Sequence, residues 1–335
     1  MGRWAALGVS GVLLSLSAAC SADEVPARET KAASGATAGA SPRSSLPEVT
    51  PLAGFPAKVK NFDGRTALLA SKPARILAGD ASLLEGLIEF VDPARMVALP
   101  STALSYSRLS EDAGAWTEVP LLKSLEAEEI LERQPDLLVA HAYQAGSTLD
   151  RVVEHDVPVV FFPIATTWKE LLASLTCLAR LVGEEERGAE LIAALEERRK
   201  ALQVKAPRSG LRILPYGNYG SGGTTAGAGT TWQVMIELAG MRNAAAEAGL
   251  EGHPDIDFEQ LLAIDPDFFL LADRSGQEGG SAEALLLGEP LLANLRAVRE
   301  RRFLRLPEHL YSSASHHLLS AAERIAAQAD AALAE

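Results

Sequence analysis

The chain has 335 residues, 47% of them hydrophobic and only 5% aromatic, with a formal net charge of −13. That length accommodates two ordinary domains, and that apolar content excludes a wholly disordered chain. The acidic balance argues against nucleic acid as a partner, though not against a local basic pocket, and two cysteines, Cys20 and Cys177, exclude a disulfide framework while leaving a single bridge open.

In residues 1–20 one arginine precedes a short apolar run, and small residues lead to Cys20. This is the shape of a secretory signal and is too short to span a bilayer as a helix. Leu16-Ser17-Ala18-Ala19-Cys20 resembles a bacterial lipoprotein processing box, with Ser17 in the slot where leucine is usual. The expectation is a lipid-modified Cys20 as mature N-terminus, anchored to a membrane; an ordinary cleaved signal with an incidental cysteine is the alternative. Residues 21–55, rich in Ala, Ser, Pro, Thr and Gly without apolar period, read as a flexible tether.

Order begins near Ala57. Val59 to Leu69 alternates around Asp63-Gly64, a two-residue hairpin signal. Strands follow at 75–78, 96–99, 137–140 and 157–162. Helices lie between them, one opened by Ser82-Leu83-Leu84-Glu85 and one by Thr167-Trp168-Lys169-Glu170, both with the pattern of a capping box. Strands alternating with helices predict an α/β lobe with a largely parallel sheet, at residues 57–166. After a helical segment, 167–206, the pattern restarts. Strands at 211–214, 268–271 and 303–306, helices at about 231–239 and 258–264, and a final helix from about 315 to 333 make a second α/β lobe, residues 207–333.

The stretch between the lobes, Glu184 to Lys205, places Ala189, Leu191, Ile192, Leu195 and Leu202 at helical spacing opposite Glu and Arg. The segments on either side resemble each other: Glu128 to Ala140 and Glu259 to Leu271 both read as helix, Pro-Asp turn and buried strand. The fold class is therefore α/β, with two lobes of mostly parallel sheet bridged by one long rigid helix and a ligand cleft between them. The helix acts as a strut, so lobe closure is expected to be small.

Several stretches together resemble one family. Asn61 to Thr66 followed by Lys72 to Ile76, the paired Pro-Asp segments, Thr225 to Thr230 leading to Glu237 to Ala244, and Leu295 to Val298 before the last strand are similar to periplasmic binding proteins for ferric siderophores, haem and cobalamin. The resemblance covers about residues 57–333. It implies a monomeric substrate-binding protein, not an enzyme, with no cofactor of its own, that hands a metal chelate to the permease of an ABC importer. It also implies one docking glutamate per lobe, carried by Glu128 and Glu259, which precede their Pro-Asp by the same spacing. The helix dipole alone accounts for one first-turn acid, less well for a matched pair.

Ligand contacts are expected past the C-terminal ends of the strands. The repeat puts Tyr143 and Arg274 in equivalent positions there, where they offer a flat amphipathic face and a fork for an anionic group. Tyr216, Tyr219 and Trp232 fall in or after a glycine-rich loop, and Tyr106 and Trp116 in a first-lobe loop. Haem needs an axial ligand, for which Tyr106 or His141 is suited. Each of these side chains is as readily explained by ordinary packing; as a set in strand-end loops they point to a site. The glycine-rich loop lacks the Gly-Lys-Ser/Thr ending of a P-loop. The six histidines show no His-x-His or Cys-plus-His spacing, and His316 and His317, placed in a helix, point to different faces, so no metal site is expected. The other readings are a binding protein for a bare transition metal, a ligand sensor, and a cofactor-dependent enzyme on a similar scaffold, for which the cofactor-ligating cysteines are missing.

Overall fold

A computed structural model describes residues 45–51, 53–204, 208–218, 223–273 and 282–334. Each half of the chain builds one parallel sheet. In the first, the spatial order is Leu121–Leu122, Met96–Pro100, Ile76–Ala78, Leu137–His141, Val159–Phe162. In the second it is Arg242–Asn243, Arg212–Pro215, Phe268–Asp273, Phe303–Pro307. Leu137–His141 and Val159–Phe162 are buried throughout, as strands covered by helices on both faces must be.

Alternation along the strands divides each lobe's core between the two faces. Ile76, Val139 and Val160 pack with Leu84, Leu87 and Leu178, whereas Leu77, Leu138 and Phe161 pack with Ile130, Leu149 and Val152. In the second lobe Ile213, Phe268 and Leu304 meet Met235 and Ile325, and Leu214, Phe269 and Phe303 meet Leu261 and Val298. Each such side chain contributes about 1.5–3 kcal/mol by leaving water.

The internal repeat has a specific mechanical meaning. Asp136 accepts from the amides of Ala74 and Arg75, and Asp267 accepts from the amide of Arg212, so each Pro-Asp pins the start of a central strand. The preceding residues, Gln134 and Asp265, both adopt positive φ, 50° and 43°. Arg75 donates to the carbonyls of Arg133 and Gln134, and Arg212 to those of Ile264 and Asp265, closing the same turn in both lobes.

The bridging helix is Glu185–Val204, 20 residues long, or about 30 Å. Its apolar face is narrow: Leu195 is buried, Leu191 and Leu202 pack half-buried against the cores, and Ala189 is exposed. A close approach also holds the helix. A Cβ on Gly188 would lie 2.5 Å from that of Ala179 in the preceding helix, Trp168–Leu181. Polar contacts do the rest: Trp168 Nε1 donates to Glu196 at 2.6 Å, and Arg198 reaches Glu323 on the final helix, Leu318–Ala334.

Three other expectations change. Glu48–Thr50, read as tether, is a strand paired with Ala57–Lys60, which in turn pairs with Thr66–Leu69. The Asp63-Gly64 turn is longer than two residues, because the strands part at Lys60 and Thr66; Gly64 takes φ 83° as the turn requires. The helix Ala81–Ile88 is capped by Asp80, which accepts from the amides of Ser82 and Leu83, not by Ser82. Glu85 is thereby freed from a capping box and is fully buried. Among the described residues no helix is long and apolar enough to cross a membrane.

Candidate functional site

In the first sheet the chain runs outward one way from Ile76–Ala78 and then returns to Leu137–His141 on its other side. The loops after these two strands diverge, which opens a crevice at their C-terminal ends. Asp80, Ser82, His141 and Tyr143 converge there. His141 Nε2 lies 2.8 Å from Ser82 Oγ and 3.2 Å from Asp80 Oδ2, and its Nδ1 lies 3.3 Å from the carbonyl of Phe162. Serine and aspartate both meet the same ring nitrogen, so this is not the relay of a serine hydrolase, in which the acid holds the other nitrogen. The Tyr143 hydroxyl donates to Asp80 Oδ2 at 3.1 Å, and its ring stacks on His141, centroids 5.5 Å apart and 16° from parallel. The outer face is free: Tyr143 is 61% exposed. Burial of the hydroxyl end and the Asp80 charge push its pKa well above the usual phenol range. It stays protonated at neutral pH, a stacking platform and not a phenolate.

A cavity of about 40 Å³ lies beside this cluster, lined by Ser82, His141, Phe162 and Leu175 on one side and Ser315 and His316 from the second half of the chain on the other. Glu85 hydrogen-bonds Ser315 Oγ and accepts from the Arg108 amide at 2.9 Å. Burial pushes the Glu85 carboxyl up to about 7. One turn on, Glu89 lies 3.6 Å from His316 Nε2, and that contact holds its carboxyl below the usual range. Burial, then the neighbouring His316, pushes His317 down to about 3, so it is neutral.

The remaining predicted residues separate. Tyr106 is 43% exposed on the short helix Ala103–Tyr106, which packs against the second-lobe turn Glu308–Tyr311. Leu104 on the same turn is also exposed. His141, the other candidate axial ligand, has both nitrogens engaged and little exposure. Trp116 and Tyr216, expected among the ligand contacts, are buried. Trp116 is packed into the first-lobe core, and Tyr216 is 1% exposed, edge-on to Phe269. Trp232 is half-buried between His253 and Tyr311, at 5.1 and 5.4 Å. Tyr219, Arg274 and Cys20 lie outside the described residues. Glu128 and Glu259 are both exposed in the first turns of matching helices, Glu128 paired with Arg151 at 2.7 Å.

Sequence reasoning passed over Asp80, Ser82, Glu85, Glu89 and Ser315, although residues 79–82 follow a central strand and the strand-end rule applied to them directly. It misplaced His316 and His317: the final helix starts at Leu318, so both sit in the turn before it and their rings meet, centroids 4.2 Å apart.

A family profile described as periplasmic binding protein matches residues 76–310. One curated relative, the molybdate-binding protein MolA of Haemophilus influenzae, is 23% identical over 235 residues, covering 61% of this chain. This chain spans 63% of that protein's length. Among solved structures, the periplasmic heme-binding protein RhuT of Roseiflexus sp. RS-1 superposes with TM-score 0.66 at 25% identity, over 77% of this chain and 98% of that one. A periplasmic heme-binding protein of Pseudomonas aeruginosa does so with TM-score 0.63 at 26% identity, over 76% and 92%.

Proposed function

The chain belongs to the periplasmic binding protein family, and we propose that it is the exported, lipid-anchored binding component of an ABC importer that captures an iron chelate between its lobes. Haem or a ferric siderophore is the first candidate cargo, cobalamin the next. The observation that carries this reading is Tyr143: an aromatic face left open to solvent, levelled by His141 and tethered by Asp80, at the strand ends where ligands of open sheets sit. A flat amphipathic platform suits a planar or aromatic-rich chelate. Because the Tyr143 hydroxyl is donated to Asp80, iron ligation in a haem complex is assigned to the exposed Tyr106. The solved heme-binding relatives support the choice. Haemin titration followed in the Soret band tests it: a saturable shift is expected, lost in Tyr106→Phe and weakened in Tyr143→Ala. No shift with haemin, and no tryptophan quenching by ferric hydroxamates or cobalamin, would defeat the reading.

A second reading rests on the small cavity. At about 40 Å³ it is far below the roughly 300–1,000 Å³ of sites for larger ligands, and Ser82, Ser315 and His316 line it with hydroxyl and imidazole groups, the two hydroxyls now hydrogen-bonded to Asp80 and Glu85. A small tetrahedral oxyanion such as molybdate suits it, and the MolA relative favours that anion. Calorimetry with molybdate separates the two: this reading predicts heat lost in Ser315→Ala and indifferent to Tyr106→Phe.

A further inference from the structure

Glu89 closes the helix Ala81–Ile88 in the first lobe, and His316 and His317 stand in the turn that opens the final helix. They are more than two hundred residues apart in sequence, yet one ligand atom from each lies within 4.8 Å of the others. We propose that Glu89, His316 and His317 form a binding site for a divalent transition-metal ion of the Zn²⁺ class, at the seam between the lobes.

The donor set is selective. Two imidazoles and one carboxylate suit Zn²⁺, Co²⁺ or Fe²⁺, whereas Ca²⁺ and Mg²⁺ prefer all-oxygen sites. The spacing is near what such an ion needs. Bonds of about 2.0–2.1 Å in a tetrahedron place ligand atoms about 3.4 Å apart; Glu89 Oε1 and His316 Nε2 are already at 3.6 Å. The remaining contraction is within reach of side-chain rotation. One ligand nitrogen is also short of a partner: His317 Nε2 is buried without a hydrogen bond, a rare condition that calls for a ligand, water or ion. A fourth position falls to water or to Glu85, whose Oε1 is 3.8 Å from His317 Nε2.

Arg108 opposes the ion, since its Nε lies 3.8 Å from Glu89 Oε1. Its side chain is 41% exposed, however, and its Nε makes no hydrogen bond. The guanidinium can turn to water when an ion takes the carboxylate. Because the ligands come from both lobes, the bound ion would fix their separation at this seam. The site involves neither Tyr106 nor Tyr143, so it does not depend on the capture of a haem or siderophore cargo.

The test uses the full chain, stripped with EDTA and titrated with Co²⁺ and then Zn²⁺. One Co²⁺ per chain is expected, with the intense visible bands of a four-coordinate site, displaced by Zn²⁺. A hundredfold excess over Kd should raise the unfolding midpoint by roughly 5 °C. Glu89→Gln and His317→Gln should each weaken Co²⁺ binding by about 100-fold or more, while His155→Gln, at an exposed position, should not. Should a seam variant fail to fold, X-ray absorption on the native Zn²⁺ protein still decides: two imidazoles in the first shell are expected. A first shell without imidazole, absence of saturable Co²⁺ binding, or unchanged affinity in folded Glu89→Gln and His317→Gln would overturn the proposal.

Discussion

The carboxyl of Glu85 and the hydroxyl of Ser315 are hydrogen-bonded across the lobe boundary, 230 residues apart in sequence. Glu85 is fully buried, with the Arg108 amide, Glu89 and His317 around it. A carboxyl whose folded pKa lies near 7 binds more protons folded than unfolded, so its contribution is present at low pH and is lost as pH rises through about 4.5 to 7. His317 acts oppositely. Held neutral down to about 3, it contributes stability above about pH 6.5 that is lost as pH falls. Denaturant melts with chelator present should show the two variants bending the pH profile of stability in opposite senses. Relative to the native protein, Glu85→Gln should gain about 3 kcal/mol as pH rises from 4.5 to 7, and His317→Gln should lose about 5 kcal/mol as pH rises from 3 to 6.5. Parallel profiles would show that neither group is held as described.

Most of the fold was legible because it rests on local signals. The Pro-Asp repeat, the alternation of the buried strands and the restart after residue 207 follow from turn chemistry and hydrophobic period, which a sequence displays openly. The bridging helix was legible as a helix and in its face of Leu191, Leu195 and Leu202, but not in the Gly188–Ala179 approach and the Trp168–Glu196 hydrogen bond that add to its packing. The site was less legible. Tyr106 and Tyr143 fell where the strand-end rule put them, exposed, but Tyr216 and Trp116 follow the same rule and are core residues. Aromatic type does not tell a wall from a plug. The seam acids and histidines were invisible, since their meeting depends on how the two lobes are set against each other.

Docking to a permease is expected to use Glu128 and Glu259. The Arg151 partner of Glu128 is exposed, and surface pairs of this kind exchange readily. Reversal of both to Lys should leave cargo affinity unchanged and depress uptake by a reconstituted importer, with the native protein's association weakening as salt rises. Uptake unaffected by the double reversal would remove these residues from the interface.

Anchoring is expected at Cys20. Mass spectrometry of protein from the producing membrane should find lipid on Cys20, and Cys20→Ser should release the protein or block its maturation. Native protein recovered unlipidated, with residues 1–19 attached, would end the lipoprotein reading.

The loop that follows Thr225 is set by one glycine. A Cβ on Gly227 would lie 2.0 Å from the carbonyl oxygen of Leu250, and the flanking bonds, Gly227 N to Gly252 O and Ala228 N to Leu250 O, are each 2.9 Å. Backbone on both sides leaves no soft neighbour to yield. Gly227→Ala should cost about 1–3 kcal/mol, whereas Gly210→Ala, which meets nothing within 4 Å, should stay within about 0.5 kcal/mol. Equal melting midpoints for the two would contradict the packing described.

A crystal structure of the protein with its cargo bound decides where the chelate sits. It is expected between residues 57–166 and 207–333, with a planar or aromatic part against the open face of Tyr143 and the metal or its ligand sphere within reach of Tyr106. Cargo resting outside that cleft, or touching neither tyrosine, would contradict that placement.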